Sequence, residues 1–348
     1  MESSESRRGL LVFSLITGLF VLCIVMWFTA VRFNTMHHGN EFTLLSKAPF
    51  DFEQSNDLRF RILSPLLGYL LFFRGVLFKY FMLIVLAIFL GMVYYYHRKK
   101  GMRPTESTGM LLLLAFSTLS FYQLYFPAYT DPTTFLLTLL LMMARNRTVL
   151  STLLLSLLLF NHEHAIFLFP FFFLFMVDGD YRFGKLFKTA LRFGIALLPY
   201  IAYRIFIMKH QPVDYTLTYY FNAKSLEWTR THVLPNLASG VFQSFRLAWI
   251  LPLAAVIIDL KEKRFREILL LLSIVLFVML QFFIAYDISR LAGLCFPVLI
   301  LSALRVKETL GMYKFLYLLY GIFLLNFLIH SYCIGALEPI SYMPFWLR

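Results

Sequence analysis

Charged residues are few in this chain of 348: Asp, Glu, Lys and Arg together make up 15%, against about a quarter in a soluble domain. Acidic residues are the scarcer kind, 19 against 32 basic ones. Cysteine is nearly absent. Cys23, Cys295 and Cys333 lie in or beside apolar segments without C-x-x-C spacing, which leaves no disulfide framework and no cysteine zinc site, only small core hydrophobes. The glycines form no G-x-G-x-x-G or Walker loop, so nucleotide binding has no support. The alternation of an outer-membrane barrel strand is missing as well. No A-x-A-type cleavage site follows the first apolar run, which is therefore expected to stay in place as a span.

What fills the chain is apolar: 60% hydrophobic residues, with 40 Phe. Runs such as Leu10–Val31, Phe81–Tyr96, Ile268–Ala285 and Leu316–His330 are long enough, or nearly so, to cross a hydrocarbon core of ~30 Å. The fold class expected is all-α: a polytopic membrane helix bundle, one domain over 1–348, with no soluble module, repeat or low-complexity linker. A net charge of +13 would suggest nucleic acid in a soluble protein. Here the orientation rule accounts for it, because Lys and Arg accumulate on cytoplasmic loops. Arg7 and Arg8, His97–Lys100 with Arg103, Arg145 with Arg147, Arg182–Arg192, Lys261–Arg266 and Arg305–Lys314 are all cytoplasmic together if about eleven helices cross. The N-terminus is then inside, and 32–76 forms a long first outer loop. The other outer segments are about 122–131, 161–164, 208–235, 286–290 and the C-terminal tail. Ile62–Phe73 is expected to lie in the outer leaflet, since a crossing there would turn every later basic cluster outward.

Polar motifs from distant parts of the chain then share the outer side. The first loop holds His37, His38, Glu41, Asp51, Glu53, Asp57, Arg59 and Arg61. YFPAYTDP carries Tyr129 and Asp131, and its Asp-Pro suits a helix start. NHEH supplies Asn161, His162, Glu163 and His164, and AYDISR supplies Asp287 and Arg290. Each motif also has a plainer reading. NHEH can be a solvated turn, Asp131 a helix cap, and Arg204 and Arg246 snorkelling side chains. Asp178, Asp180, Glu262 and Glu308 accompany basic clusters and are expected to be solvated loop charges. His162 and His164, two apart, fall on different faces of a helix and do not readily share a zinc ion.

The order of motifs resembles the bacterial multi-pass glycosyltransferases of the GT-C superfamily, in particular small polyprenyl-phosphate-dependent, mannosyltransferase-like proteins. The likeness covers about residues 8–305. It consists of a first span, Asn40-Glu41-Phe42, Pro49-Phe50, Arg59-Phe60-Arg61-Ile62-Leu63-Ser64-Pro65, Tyr129 with Asp131-Pro132, Asn161–His164 with Pro170, and Asp287, Arg290 with Phe296-Pro297. The resemblance implies a catalytic carboxylate in the first outer loop, so Glu41, Asp51 and Asp57 are its candidates. The family usually places Asp at the early position, where this chain has Glu41, and many members carry Arg or Lys where it has His162.

The chemistry is consistent with that reading. Transfer from a sugar-phospholipid needs a base for the acceptor hydroxyl and cations for the departing phosphate. Arg59, Arg61 and Arg290 suit a polyprenyl phosphate, because guanidinium matches phosphate oxygens two at a time. His162, Glu163 and His164, with Tyr129, Asp131 and Asp287, are expected to contact donor or acceptor. The partners implied are a polyprenyl-phosphate sugar donor, a glycan, lipid or protein acceptor, and membrane lipids, with no nucleic acid. No motif demands a cofactor or a protein-bound metal, and a divalent cation stays open. The location implied is a bacterial inner membrane serving the cell envelope, with the active site outside. Two rivals remain. An O-antigen-type polymerase or ligase usually has its major outer loop late in the chain, whereas a transporter places its charges at the midplane and shows repeats.

Overall fold

Each long apolar run forms a helix, because a backbone removed from water has to satisfy its own N–H and C=O groups. The computed structural model describes residues 7–29, 31, 34–53, 56–210, 223–283, 285, 287–329, 331–334 and 339–342. Residues 211–222 of the expected outer segment 208–235, and parts of the C-terminal tail, lie outside them.

In chain order the helices are α1 (Arg7–Phe28), α2 (His38–Lys47), α3 (Leu63–Leu70), α4 (Phe78–Lys99), α5 (Pro104–Ala115), α6 (Thr118–Tyr125), α7 (Asp131–Met143), α8 (Thr148–Asn161) and α9 (Phe169–Val177). They continue as α10 (Phe183–His210), α11 (Ala223–Trp228), α12 (Leu234–Phe245), α13 (Ile250–Lys261), α14 (Phe265–Leu280), α15 (Ile288–Ala292), α16 (Phe296–Leu310) and α17 (Met312–Leu328). Strands β1 (Ser331–Ile334) and β2 (Pro339–Tyr342) then form a short antiparallel pair, with Ser331 opposite Tyr342. Apart from that pair the described chain is helices and their connections.

Six helical stretches are long and apolar enough to cross a membrane: Arg7–Phe28, Gly75–Lys99, Phe183–His210, Ala223–Lys261, Phe265–Phe283 and Ile288–Leu310. A seventh arises if α5 and α6, bent by 48° at their junction, count as one. Asp131–Met143, Thr148–Asn161, Glu163–Val177 and Met312–Leu328 are apolar but shorter. At 1.5 Å per residue the first three reach only about 20–22 Å, well short of a ~30 Å core. The first loop is structured: α2, a 3₁₀ turn at Asp57–Arg61, and α3 inside the expected Ile62–Phe73 stretch.

Packing places Ile288–Leu310 at the centre, with 83% of its apolar window buried, against 22% for Phe183–His210 and 28% for Arg7–Phe28. Phe89, Phe135 and Phe296 meet with ring centroids 5.2–5.9 Å apart, tying α4, α7 and α16 together below Asp131. At the edge, α1 and α4 approach backbone to backbone. A Cβ on Gly18 would collide with the Gly91 main chain, and one on Gly91 would meet the carbonyl of Ser14. Small residues allow such contact where lipid supplies no hydrophobic drive between helices.

The basic clusters gather at one end of the bundle. Arg145 pairs with Asp178 at 3.1 Å, and Arg266 from α14 reaches the same carboxylate. Arg305 pairs with Asp259 at 2.6 Å and also meets Glu262 and, at 3.5 Å, Glu308. Lys307 meets the buried Glu106 at 2.9 Å and the Gly101 carbonyl at 2.8 Å. Arg182 holds the Asp180 carboxyl down at about 2 through its hydrogen bonds. Asp178 and Glu262 are therefore paired rather than merely solvated, because basic residues of other helices reach them, whereas Asp180 and Glu308 pair only within their own segments and stay in solvent as expected.

Arg246 corrects another expectation. It does not snorkel but is fully buried, donating to the carbonyls of Asn326, Ile329 and Phe116. These are carbonyls at the ends of α17 and α5, where a helix leaves its last C=O groups without partners. Arg204 stays half-buried over the Phe60 ring at 4.3 Å.

Candidate functional site

The opposite end of the bundle holds a buried polar centre at the start of α7 and the end of α8. Asp131 opens α7 with Pro132 behind it, so its carboxylate sits at the positive end of a helix. Asn161 closes α8 fully buried. Its amide donates to the Thr130 carbonyl at 2.9 Å and to the Thr134 hydroxyl at 2.8 Å. Ser64 Oγ lies 2.5 Å from Asn161 Oδ1 and 2.7 Å from Thr133 Oγ1. A hydroxyl has one proton, so Ser64 donates to the amide and receives from Thr133. This network fastens the start of α3 to α7 and α8, and it fixes the turn that follows.

That turn is NHEH. His162 is extended, at φ −159° and ψ 116°, and Glu163–Leu168 winds as a 3₁₀ turn, which aims Glu163 at the first loop. Arg61 binds Glu163 with two nitrogens, Nε at 2.8 Å and Nη2 at 2.5 Å, a fork-to-fork pair across 102 residues of sequence. His164 Nε2 stands 3.9 Å from the same carboxylate. The reading of NHEH as a solvated turn fails, since Asn161, His162 and His164 are all buried. So does the argument that the two imidazoles diverge: their rings lie 4.9 Å apart, because the backbone here is not α-helical. Among the described residues, even so, no three His, Cys, Asp or Glu side chains are grouped to hold a metal ion.

Arg290, buried on α15, is the second cation. It pairs with Asp287 at 3.3 Å and lies over the rings of Tyr129 at 5.2 Å and Tyr122 at 5.5 Å. Tyr122 donates to Asp287 at 3.4 Å, and Gln123 to Asp131 at the same distance. Both tyrosines are brought together by the left-handed turn at Ala128 (φ 73°), which folds Tyr129 back onto Tyr122 at 5.5 Å. Arg290 Nε has no hydrogen-bond partner.

The first-loop carboxylates separate in space. Helix α2 lies close on the YFPAYTDP loop, because Gly39 leaves room for the Pro127 carbonyl, where a Cβ would come within 2.5 Å. This puts His38 6.1 Å and Phe42 6.4 Å, ring to ring, from Tyr129, and Glu41 pairs with His38 at 3.5 Å. Glu41 is thus linked through His38 and Tyr129 to Arg290, and it is half-exposed. Asp51 instead belongs to the loop's own scaffold. Its carbonyl accepts from Arg59 Nη2 at 2.5 Å and its carboxylate from the Glu53 N–H at 3.1 Å. Arg59 also donates to the Pro49 carbonyl at 3.0 Å, and its guanidinium lies 4.9 Å from the Phe52 ring. Burial lowers its pKa from the ordinary arginine value, with Tyr203 and Asp51 opposing. Its fork is occupied by the loop. Asp57 opens the 3₁₀ turn next to Asn56, whose amide donates to the Glu41 carbonyl at 3.1 Å.

The structure thus gathers Arg61, Glu163 and His164 on one side and Asp131, Asp287, Arg290 and Tyr129 on the other, with Glu41 at the rim. Sequence reasoning missed Ser64, Tyr122, Thr133, Thr134 and Gln281. Polar residues at the ends of apolar runs, such as Gln281, are the signal that points to them. No family model matches the chain and no curated protein matches it either, so the chemistry of this centre rests on its geometry.

Proposed function

We propose that this chain is a membrane glycosyltransferase moving a sugar from a polyprenyl-phosphate donor to an acceptor hydroxyl on the extracytoplasmic face. The observation that carries the reading is Arg290, buried with a free Nε, beside a second arginine, Arg61, and flanked by a rim carboxylate, Glu41. The architecture supports it. Six helices are long and apolar enough to cross, seven with the bent pair, and the eleven crossings of this reading take the four shorter apolar helices as further, partial spans. With the basic end in the cytoplasm of a bacterial inner membrane, the short α7, α8 and α9 leave the polar centre below the outer surface, level with lipid headgroups and acyl chains. We read this as a GT-C-like arrangement, with the first loop packed over the polar centre.

In this reading Glu41 takes the proton of the acceptor hydroxyl, and the oxygen attacks the anomeric carbon of the donor. The bond from that carbon to the phosphate oxygen breaks, and the phosphate leaves with the bonding pair. Arg290, through its free Nε, meets the charge that builds on the phosphate, in a site where water is sparse and such stabilisation is strong. Arg61 holds Glu163 and contributes positive potential, while His164 offers a neutral donor.

The test is release of polyprenyl phosphate from radiolabelled mannosyl-, glucosyl- or galactosyl-polyprenyl phosphate by the full chain in nanodiscs, with native membranes as acceptor source. Wild type is expected to release it and Arg290→Gln to lose about 10²-fold or more, a charge-assisted bond being worth roughly 1.5–3 kcal/mol before its acidic neighbours are left unpaired. No release from any of the three lipids sinks the reading.

A further inference from the structure

Among the described residues, the polar centre contains groups that neither the ion pairs nor the proposed base use. Gln281, in the 3₁₀ turn Gln281–Phe283 after α14, is fully buried. Its side chain interacts with that of His164, and beyond that contact neither its amide oxygen nor its nitrogen has a hydrogen-bond partner. His164 is itself buried, and apart from Gln281 its Nδ1 has no hydrogen-bond partner. A buried amide normally has its partners, and one left without them destabilises the fold. The cations here already have anions: Arg61 has Glu163 and Arg290 has Asp287. What is left over, beyond the contact these two side chains make with each other, is neutral: the amide of Gln281 and the His164 ring beside it.

We infer that Gln281 and His164 form a neutral subsite that recognises the hydroxyls of a sugar ring, separate from the arginine that receives the phosphate. A hydroxyl both donates and accepts, and so it complements an amide, which does the same; a second phosphate would find no added charge at Gln281. Phe282 and Ile288, buried beside this turn, keep it rigid against α15, so the amide is held relative to Arg290. This inference rests on the glycosyltransferase reading and specifies which part of the donor each half of the centre binds.

Such a division makes the apolar variants diagnostic. Gln281→Leu and Gln281→Met remove an unsatisfied buried amide at near-constant volume, a change that is neutral or stabilising for the fold. The same change removes sugar contacts. We would titrate the full chain in nanodiscs with bare polyprenyl phosphate and with its glucosyl and mannosyl derivatives, and record melting temperatures of the same samples. The expected result is binding of the bare lipid within twofold of wild type, glycosylated lipids weakened by roughly tenfold, and melting unchanged or raised. Arg290→Gln is expected to weaken both kinds of lipid together. If wild type and both Gln281 variants bind every lipid alike while Arg290→Gln fails, the subsite is overturned and the glycosyltransferase reading stands. If melting falls in both variants and all lipids weaken equally, Gln281 is structural and the inference is wrong. Wild type that binds none of the lipids overturns both.

Discussion

The two ends of this bundle use charge in opposite ways. At the basic end, Arg145, Asp178 and Arg266 form a half-exposed cluster, and Arg305 ties α16 to Asp259 and Glu262. Acid and base there lie on neighbouring helices, so the pairs fasten helix ends. At the other end Arg61 meets Glu163 across 102 residues of sequence and Arg290 meets Asp287 three residues away, both arginines buried, and polar atoms are left over on Arg290, His164 and Gln281. Burying ions and leaving polar atoms unused costs stability; the exposed Asp178 cluster avoids that cost, although Glu106 and Asp259 at the same end are buried. On the proposed function, the difference teaches where the molecule gives up stability for a binding surface.

The comparison breaks entirely if the two ends do not face opposite sides of a membrane. In a chain whose three native cysteines are changed to Ala, an impermeant thiol reagent added outside is expected to label Phe50→Cys and not Glu308→Cys. Both positions are exposed, so access to the reagent decides the result. Asn161, although it belongs to the motif expected outside, is a poor reporter because it is fully buried. Labelling of Glu308→Cys from outside reverses the assignment of the ends and removes the basis for an outer active site.

The next effect separates carboxylates within the first loop. Glu41→Gln is expected to slow transfer by about 10²–10⁴-fold with polyprenyl-phosphate binding retained, as removal of a general base does. Asp51→Asn is expected to stay near wild type, because its carboxylate serves the loop's own backbone at Glu53. Both rates come from one release assay. Full activity in Glu41→Gln with a dead Asp51→Asn would move the base to the Arg59 scaffold.

How much of this was readable beforehand differs between the two ends. The helical membrane character follows from hydropathy alone, because apolar runs without water have few alternatives to helix. The basic clusters could be grouped because the orientation rule concerns sequence-local charge. The polar centre was legible as residue types, not as geometry. Arg59 and Arg61 look alike two residues apart, yet one guanidinium is spent on the carbonyls of Pro49 and Asp51 while the other reaches Glu163. Nothing local distinguishes them; the 3₁₀ turn at Asp57–Arg61 does. The same holds for NHEH, where helical spacing separates two imidazoles that the real backbone brings together. Arg246 was misread for a third reason: its partners are carbonyls on α5 and α17, and main-chain partners leave no mark in a sequence.

A third prediction sets the stability cost of a buried ion. Glu163→Gln leaves Arg61 largely buried without its anion and is expected to destabilise the full chain by about 3 kcal/mol. Chemical or thermal unfolding in detergent reads it, and pairing the change with Arg61→Gln checks it, since the double variant removes the stranded charge and should recover part of the loss. Equal stability in Glu163→Gln and wild type would mean that the polar centre is as well hydrated as the basic end, and the contrast between the ends would lose its physical ground.

The smallest expected effect lies at the basic end, at Asp178. This residue sits at φ 54°, a left-handed position following α9 that Asn also tolerates, so Asp178→Asn removes the charge without straining the turn. It frees two arginines at once, but all three side chains are 30–40% exposed and water takes over when the carboxylate is gone. Exposed pairs contribute between nothing and about 1 kcal/mol each, and salt screens them. The variant should therefore unfold within about 1 kcal/mol of wild type at low ionic strength, with the gap closing as salt is raised, while the Glu163→Gln deficit persists because Arg61 is shielded from ions. A salt-independent loss of several kcal/mol at Asp178 would show that the basic end is held as tightly as the polar centre. Stability given up for binding would then no longer distinguish the two ends.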